Sequence, residues 1–366
     1  MSFVNKIKKI WKNFFGNNRE TAHCHINLKI SHDQIDKDAL TILRRLARHG
    51  YQACLVGGAV RDLLLGRQPK DFDIATNARP RQIKRLFRNC RLIGRRFRLA
   101  HLYFKDKIIE VSTFRSTPKK QSDDHHCSDD GMILRDNVYG TIEEDAWRRD
   151  FTINALYYDI TKSSIIDFCG GLDDLKANLI RTIGDPFLRC REDPVRILRV
   201  IRFAAKLNMT IEETAEKAVL QLSCLLKDVP PSRLFHEFMK FFSCGYALNA
   251  FKLLCKYNVL KEILPLTQKA LDDHNQPVKH FIEKALKNTD ERLTNNDTIS
   301  AAFLFAFLLW HPLLDYKKKL ERQENMKAVP AFHQACHDVL KQQIQHMVIT
   351  KHLRFMIIET WSLQLQ

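Results

Sequence analysis

The sequence predicts an α/β unit followed by an all-helical extension, and three observations carry that expectation. Over residues 26–160, short apolar runs alternate with stretches of helical spacing, the pattern of a sheet packed by helices. A glycine pair, Gly57 and Gly58 in "LVGGAVRDLLLG", is followed at short range by two aspartates one residue apart, Asp71 and Asp73 in "KDFDIAT". From about Asp185 onward, amphipathic segments succeed one another with no strand signal between them.

Taken in order, a helix with Leu40, Leu43, Leu46 and Ala47 along one side precedes a strand in "QACLVGG". A helix over "AVRDLLLG" leads to a strand in "DFDIAT", and "RPRQIKRLF" again has helical spacing. Two apolar strands follow at "AHLYF" and "KIIEVSTF", joined by a tight turn. Residues 116–141 are polar, with "DDHHCSDDG" at their centre, and read as a flexible flap. His125, His126 and Cys127 there are adjacent on one turn, a poor arrangement for a closed metal site. "RRDFTINALYYD" reads as a charge cluster at the start of an apolar helical stretch. Further helices are expected over 212–227, 233–243, 246–256, 278–287 and 299–310. The expected division is a basic arm over 1–25, a head over 26–185, a neck over 186–245 and a helical body over 246–366.

Composition narrows the partners. The chain has 366 residues, of which 45% are hydrophobic, so it is long enough for two or three cores and is not disordered throughout. Its 59 Lys and Arg against 42 Asp and Glu leave a net charge of +17, which points to a polyanion, either nucleic acid or an anionic membrane surface. No run reaches the ~18 apolar residues of a membrane span. Ten cysteines include no C-x-x-C pair, which fits free thiols in a reducing cytoplasm and argues against a disulfide framework or structural zinc. The N-terminal "MSFVNKIKKIWKNFFGNN" is basic and amphipathic and lacks the features of a secretory signal. RNA, a membrane surface and the protein's own body all remain open as its resting place.

The chemistry lies in four places. Alternate residues of a strand share a face, so Asp71 and Asp73 would stand roughly 6.5–7 Å apart, a spacing able to hold two Mg²⁺ ions about 3.5–4 Å from each other. Gly57 and Gly58 let backbone approach a phosphate, and Arg61 follows one helical turn later. Glu110 in "IIEVSTFR" alternates with apolar Ile109 and Val111; it is either a third carboxylate beside Asp73 or a surface group on an edge strand. Arg148, Arg149 and Asp150 combine charges suited to phosphate and ribose, although a solvated cluster or an N-cap would look alike. In "REDPVRILRVIRFAAKL", Asp193 and Pro194 start a helix on which Arg196, Arg199 and Arg202 recur. Asp193 and Arg196, at i and i+3, either read a nucleotide base edge or form a capped basic face.

Together these motifs resemble the class II nucleotidyltransferases, the family of bacterial poly(A) polymerases and tRNA CCA-adding enzymes. The match runs nearly continuously from Gly50 to Leu207, through "LVGGAVRDLLLG", "KDFDIAT", "RRDFTINALYYD", "IIDFCGGLDDL", "RTIGDP" and "REDPVRILRVIRFAAKL". The resemblance implies a head of about five strands, a neck and a helical body. It further implies template-independent transfer from ATP to RNA 3′ ends, with two Mg²⁺ ions. Asp71 and Asp73 would bind the metal, with Asp150 completing the acidic set. Gly58, Arg61 and Arg149 would hold the triphosphate, and Asp193, Arg196 and Arg199 would face the base.

Within the family, "IGRRFRLAHLYF", the long 116–141 segment and "PPSRLFHEFMKFF" are similar to the poly(A) polymerase branch. CCA addition is the alternative activity, and a non-catalytic RNA-binding relative is a second. Every carboxylate and arginine that the chemistry needs is nevertheless present. A cytoplasmic monomer acting on RNA is expected, with its RNA-binding residues unassigned. Family members generally continue beyond the equivalent of "WSLQLQ", so a C-terminally shortened body is expected here.

Overall fold

Short buried strands and amphipathic helices account for both halves of the computed structural model, which describes residues 24–26, 30–94, 98–116, 138–274 and 276–364. Except for their innermost residues, the expected N-terminal arm (1–25) and flap (116–141), with His125, His126 and Cys127, lie outside the described residues. The chain divides into two compact units, Met1–Ala177 and Asn178–Gln366. The helical half therefore starts at Asn178 rather than at 186, and residues 186–245 fold in the same unit as 246–366.

The first unit is built on a mixed sheet. Its strands are β1 (Cys24–Ile26), β2 (Ala53–Val56), β3 (Ile74–Thr76), β4 (Cys90–Ile93), β5 (Leu99–Tyr103), β6 (Ile108–Thr113), β7 (Leu156–Asp159) and β8 (Ser164–Asp167). They lie in the order β1-β8-β7-β2-β3-β6-β5-β4, eight where about five were expected. Only β3 and β6 pair in parallel; the other neighbours are antiparallel. The β3–β6 connection includes helix Pro80–Leu86 and the β4–β5 hairpin, and Pro80 opens that helix at its first position. Helix Lys37–Arg48 is capped by Asp36, whose Oδ1 accepts from the Asp38 and Ala39 amides, and it buries Leu40, Leu43 and Leu46 as the spacing requires.

One expectation is corrected here. The residues after Asp150 do not form a helix: a short 3-10 turn at Thr152–Asn154 leads into β7, which lies between β2 and β8 with all four residues buried. A strand covered on both faces is apolar throughout and shows no alternation, so periodicity does not distinguish it from a buried helix.

The turn after β8 explains "IIDFCGGLDDL". The Asp167 carboxylate accepts backbone N–H groups from Cys169, Gly170, Gly171 and Leu172 at 2.9–3.1 Å, which fixes the start of helix Gly171–Lys176. Gly170 has φ +77°, and a Cβ on Gly171 would stand 2.3 Å from the Thr152 carbonyl oxygen.

The second unit is helical apart from a two-residue parallel pair, β9 (Leu179–Ile180) with β10 (Thr210–Ile211). Its helices include Val195–Leu207, Glu213–Leu222, Pro231–Phe242, Ala247–Lys256, Gln276–Thr294 and Ala301–Leu308, close to the expected segments. Phenylalanine fills the core: the Phe238 and Phe305 rings stack at 4.5 Å and Phe238 meets Phe242 at 5.0 Å. Buried Glu237 is balanced by Arg202 at 3.0 Å and Lys240 at 2.9 Å. Trp361, 1% exposed, donates its indole N–H to the Ala306 carbonyl at 2.8 Å. No helix among the described residues is long and apolar enough to cross a membrane.

Because the obstacle at Gly171 is main chain, it cannot swing aside. Gly171→Ala should lower stability by about 2 kcal/mol, read as a fall in the urea midpoint; an unchanged midpoint would contradict this packing.

Candidate active site

The antiparallel pairing of β2 with β3 brings the glycine turn and the two aspartates to one end of the sheet. Leu55 pairs with Ile74, and the ladder runs one residue further, with the Val56 amide donating to the Asp73 carbonyl at 3.1 Å. The strand proper begins at Ile74, so Asp71 and Asp73 sit at its entrance rather than within it. Both are exposed, whereas Ile74 is fully buried. On the other side, Ile74 pairs with Val111, which sets Asp73 level with Glu110 one residue earlier on β6. Glu110 is thus not on an edge strand: β6 lies between β3 and β5, and its Glu110 side is open.

The charges of these carboxylates act on each other. Desolvation by the surrounding protein pushes the Asp73 pKa up to about 6, the negative charges of Glu110 and then Asp71 add to the rise, and Arg149 opposes it. Since Asp73 reaches solvent, water relieves part of the first effect, while only a cation relieves the crowding of like charges. Among the described residues, no three His, Cys, Asp or Glu side chains converge on one point as a ready cage.

Arg149 is held over the other side of the turn. Its Nη2 donates to Asp145 Oδ2 at 2.9 Å, its Nε donates to the Tyr157 hydroxyl at 3.1 Å, and its guanidinium lies 5.3 Å from the Tyr157 ring. Tyr157 donates in turn to Asp145 Oδ2 at 2.7 Å. Burial pushes the Tyr157 phenol well up, Arg149 pulls it down and Asp145 raises it again, so the hydroxyl keeps its proton and donates. Val56 pairs with both Asp73 and Tyr157, which places the Arg149 anchor two strand positions from Asp73, across β2. The Gly57 backbone is at φ +71°, and a Cβ there would stand 3.3 Å from Arg149 Nη1. Only glycine allows this approach without strain.

Arg61 lies within the turn itself. It is 2% exposed, its Nε donates to Asp62 at 2.8 Å, and Nη1 donates to Asn154 Oδ1. Its Nη2 lies 3.5 Å from the place of a Gly58 Cβ. The guanidinium thereby packs against the glycine turn. Asp150, directly after Arg149, is half-buried. Asp145, Tyr157 and Asn154 are the residues that sequence reasoning missed; the i,i+4 spacing of Asp145 and Arg149 was the available signal.

On the second unit, Asp193 precedes the cap by one residue, with Pro194 at the cap position of helix Val195–Leu207. Its Oδ1 accepts from the Val195 amide at 3.3 Å and its Oδ2 from Arg233 at 3.0 Å. Arg196 Nη1 donates to the Arg189 carbonyl at 2.8 Å and to Glu192 at 2.9 Å. Arg196, Arg199 and Arg202 are half-buried along one side, while Ile197, Val200, Ile201 and Ala204 are buried on the other.

Comparison with known proteins shows the family. Residues 53–181 match the family model for the poly A polymerase head domain. Poly(A) polymerase I of Escherichia coli O6:H1 is 47% identical over 341 residues, covering 92% of this chain and 73% of the relative. The chain belongs to the poly(A) polymerase family. Residues 208–271 match the model described as "Probable RNA and SrmB-binding site of polymerase A", and 324–366 match the arginine-rich C-terminus of polymerase A. Poly(A) polymerase I of Haemophilus influenzae is 43% identical, covering 92% of this chain and 75% of its own. A CCA-adding enzyme of Geobacillus thermodenitrificans is more distant, 35% identical over 64% of this chain and 56% of that one. Solved structures share the fold: the Bacillus stearothermophilus CCA-adding enzyme in complex with CTP superposes with TM-score 0.53 at 24% identity, covering 89% of this chain and 91% of that one. The Thermotoga maritima CCA-adding enzyme complexed with tRNA gives 0.55 at 20% identity, covering 92% and 85%. By its family the chain is a polynucleotide adenylyltransferase, and CCA-adding enzymes are its distant kin.

The raised pKa of Asp73 has a sign that stability reports. A carboxylate whose folded pKa exceeds its unfolded value of 3.8 costs stability progressively as pH rises from about 4 to 6, and the full cost is present above 6. Without divalent ions, Asp73→Asn should therefore stabilise the polymerase at pH 8 by on the order of 1 kcal/mol, discounted for solvent access. The gain should fade as pH falls from 6 toward 4, read by thermal unfolding in EDTA. A gain that persisted at pH 4 would contradict the cause given.

Proposed function

We propose that this poly(A) polymerase adds AMP from ATP to RNA 3′ ends through the Asp71–Asp73 site. The observation that carries the proposal is a solvent-reaching carboxylate crowded by two others, facing an anchored arginine across a glycine turn. Asp71 and Asp73, with Glu110 beside them, would hold Mg²⁺, two ions in all, which when bound supply positive charge to the triphosphate and acidify the attacking 3′-hydroxyl. Gly57 and Gly58 leave the space for phosphate oxygens, and Gly58 and Arg61 hold the triphosphate together with Arg149. Arg149, fixed by Asp145 and Tyr157, offsets charge on the departing pyrophosphate without reorienting. Asp150 completes the acidic set. Asp193, Arg196 and Arg199 are assigned to the adenine base, with residues 186–245 acting as neck and 246–366 as body. Catalysis rests on positioning and electrostatics, since phosphoryl transfer asks little covalent work of the protein. The setting is cytoplasmic, a reading supported by the free thiols at Cys54, Cys90, Cys190 and Cys336, all buried, and we take the enzyme to act as a monomer.

Two measurements test this. Asp71→Ala should reduce incorporation of labelled ATP into an oligoadenylate primer by on the order of a thousandfold, with thermal unfolding little changed; normal turnover would remove the assignment. Long tails from ATP alone separate polyadenylation from CCA addition. Efficient CTP use on a 3′-truncated tRNA, halting after two additions, would show the other activity.

A further inference from the structure

Between Ile74 and Lys105 the sequence contains ten Lys or Arg and no Asp or Glu. This segment runs through helix Pro80–Leu86 to the β4–β5 hairpin, and β4 is the free edge of the sheet. Arg79, Arg81, Lys84, Arg85, Arg88 and Arg91 are all exposed, and among the described residues none of the six forms an ion pair. A solvated basic face usually carries interspersed acids; this one carries none.

The sheet register links that edge to the site. Asp73 lies level with Glu110 on β6, Glu110 pairs with His101 on β5, and His101 pairs with Arg91 on β4. The four side chains form one row across neighbouring strands, spanning about 14 Å at ~4.8 Å per strand. His101 Nε2 lies 3.2 Å from Glu110 Oε1, which closes the middle of the row. At its end, the Arg91 guanidinium lies 5.3 Å from the Tyr103 ring, with Tyr103 and Ile93 each 37% exposed on the same face. The row therefore passes from acidic at Asp73 to basic and aromatic at the sheet edge.

We propose that this edge of the head binds the 3′-terminal nucleotides of the RNA primer, with Arg91 on a phosphate and Tyr103 under a base. Arg81, Lys84, Arg85 and Arg88 draw in the strand upstream. An aromatic face beside unneutralised cations is the chemistry of single-strand binding. Continuity with Asp73 brings the terminal hydroxyl to the carboxylates, so the inference rests on the active-site reading above. It names the primer path, which that reading leaves open.

The test uses the full chain and an oligoadenylate primer. Arg91→Ala and Tyr103→Ala should each raise the primer KM about tenfold, leaving the KM for ATP and kcat at saturating primer near wild type. Tyr103→Phe should restore primer affinity. In anisotropy titrations, Arg85→Ala/Arg88→Ala should flatten the salt dependence of binding by about two units of slope. Lys287→Ala, on the helical unit, is the control for general charge loss and should leave the primer KM unchanged. Wild-type primer affinity and salt slope in Arg91→Ala, Tyr103→Ala and Arg85→Ala/Arg88→Ala would overturn the proposal. So would loss of binding to phosphatidylglycerol vesicles in these variants with RNA affinity intact. Asp73→Asn separates the two readings: it should still bind primer while failing to extend it, and extension by that variant would sink the active site without touching the edge.

Discussion

The register of β3 is the constraint from which the site follows. Ile74 must face the core, and its pairing with Leu55 on one side and Val111 on the other leaves no freedom in where Asp73 stands. A slip of one residue would put Asp73 in the buried place of Ile74. The same pairing determines that Glu110 is the neighbour of Asp73 and that Tyr157 lies one strand beyond Val56. Burial of all three residues of β3 thereby fixes where the charges at its entrance stand.

Crowding carboxylates costs stability, and the fold confines that cost to one place. The buried charges around the site are otherwise matched: Asp145 takes donors from Arg149, Tyr157 and the Arg115 amide, and Asp167 takes four backbone N–H groups. A buried ion pair of this kind adds little net stability, and losing one partner is severe. What it supplies is orientation, since a guanidinium with two fixed acceptors at its Nε and Nη2 leaves Nη1 directed at the glycine turn. Strain is therefore kept at Asp73, where a ligand can relieve it, and excluded from the groups that aim at that ligand.

Much of this was legible in the sequence, for identifiable reasons. The glycine pair and the aspartates declare themselves because turn chemistry and i,i+2 spacing are local properties. The helices from Val195 onward follow from periodicity and caps. Leu156–Asp159 was misjudged because a strand buried on both faces has no period to read. The packing of Arg61 is not legible in the sequence, because one helical turn does not say which neighbours its side chain meets. Its partner Asn154 is remote in sequence and joins it only through tertiary contact. The Arg149–Asp145–Tyr157 arrangement needed β7 to be recognised as a strand first.

The sheet also resolves a conflict between charge and substrate. A polyanion approaching three carboxylates is repelled by them, yet the hydroxyl at its end must reach them. A net charge of +17 spread evenly would shield the carboxylates only weakly, because ionic screening at physiological salt limits such effects to about 8 Å. Local placement is what matters. The β4 edge puts unneutralised cations about three strand spacings from Asp73, roughly 14 Å, beyond the range at which they would pair with the carboxylates and dismiss a metal ion. On the proposed primer path, phosphates upstream of the terminal nucleotide would meet positive charge while the terminus met the acidic pair. Separate attraction and reaction zones on one rigid sheet achieve this without moving any element, because the register that crowds Asp73 also carries Arg91 to the edge.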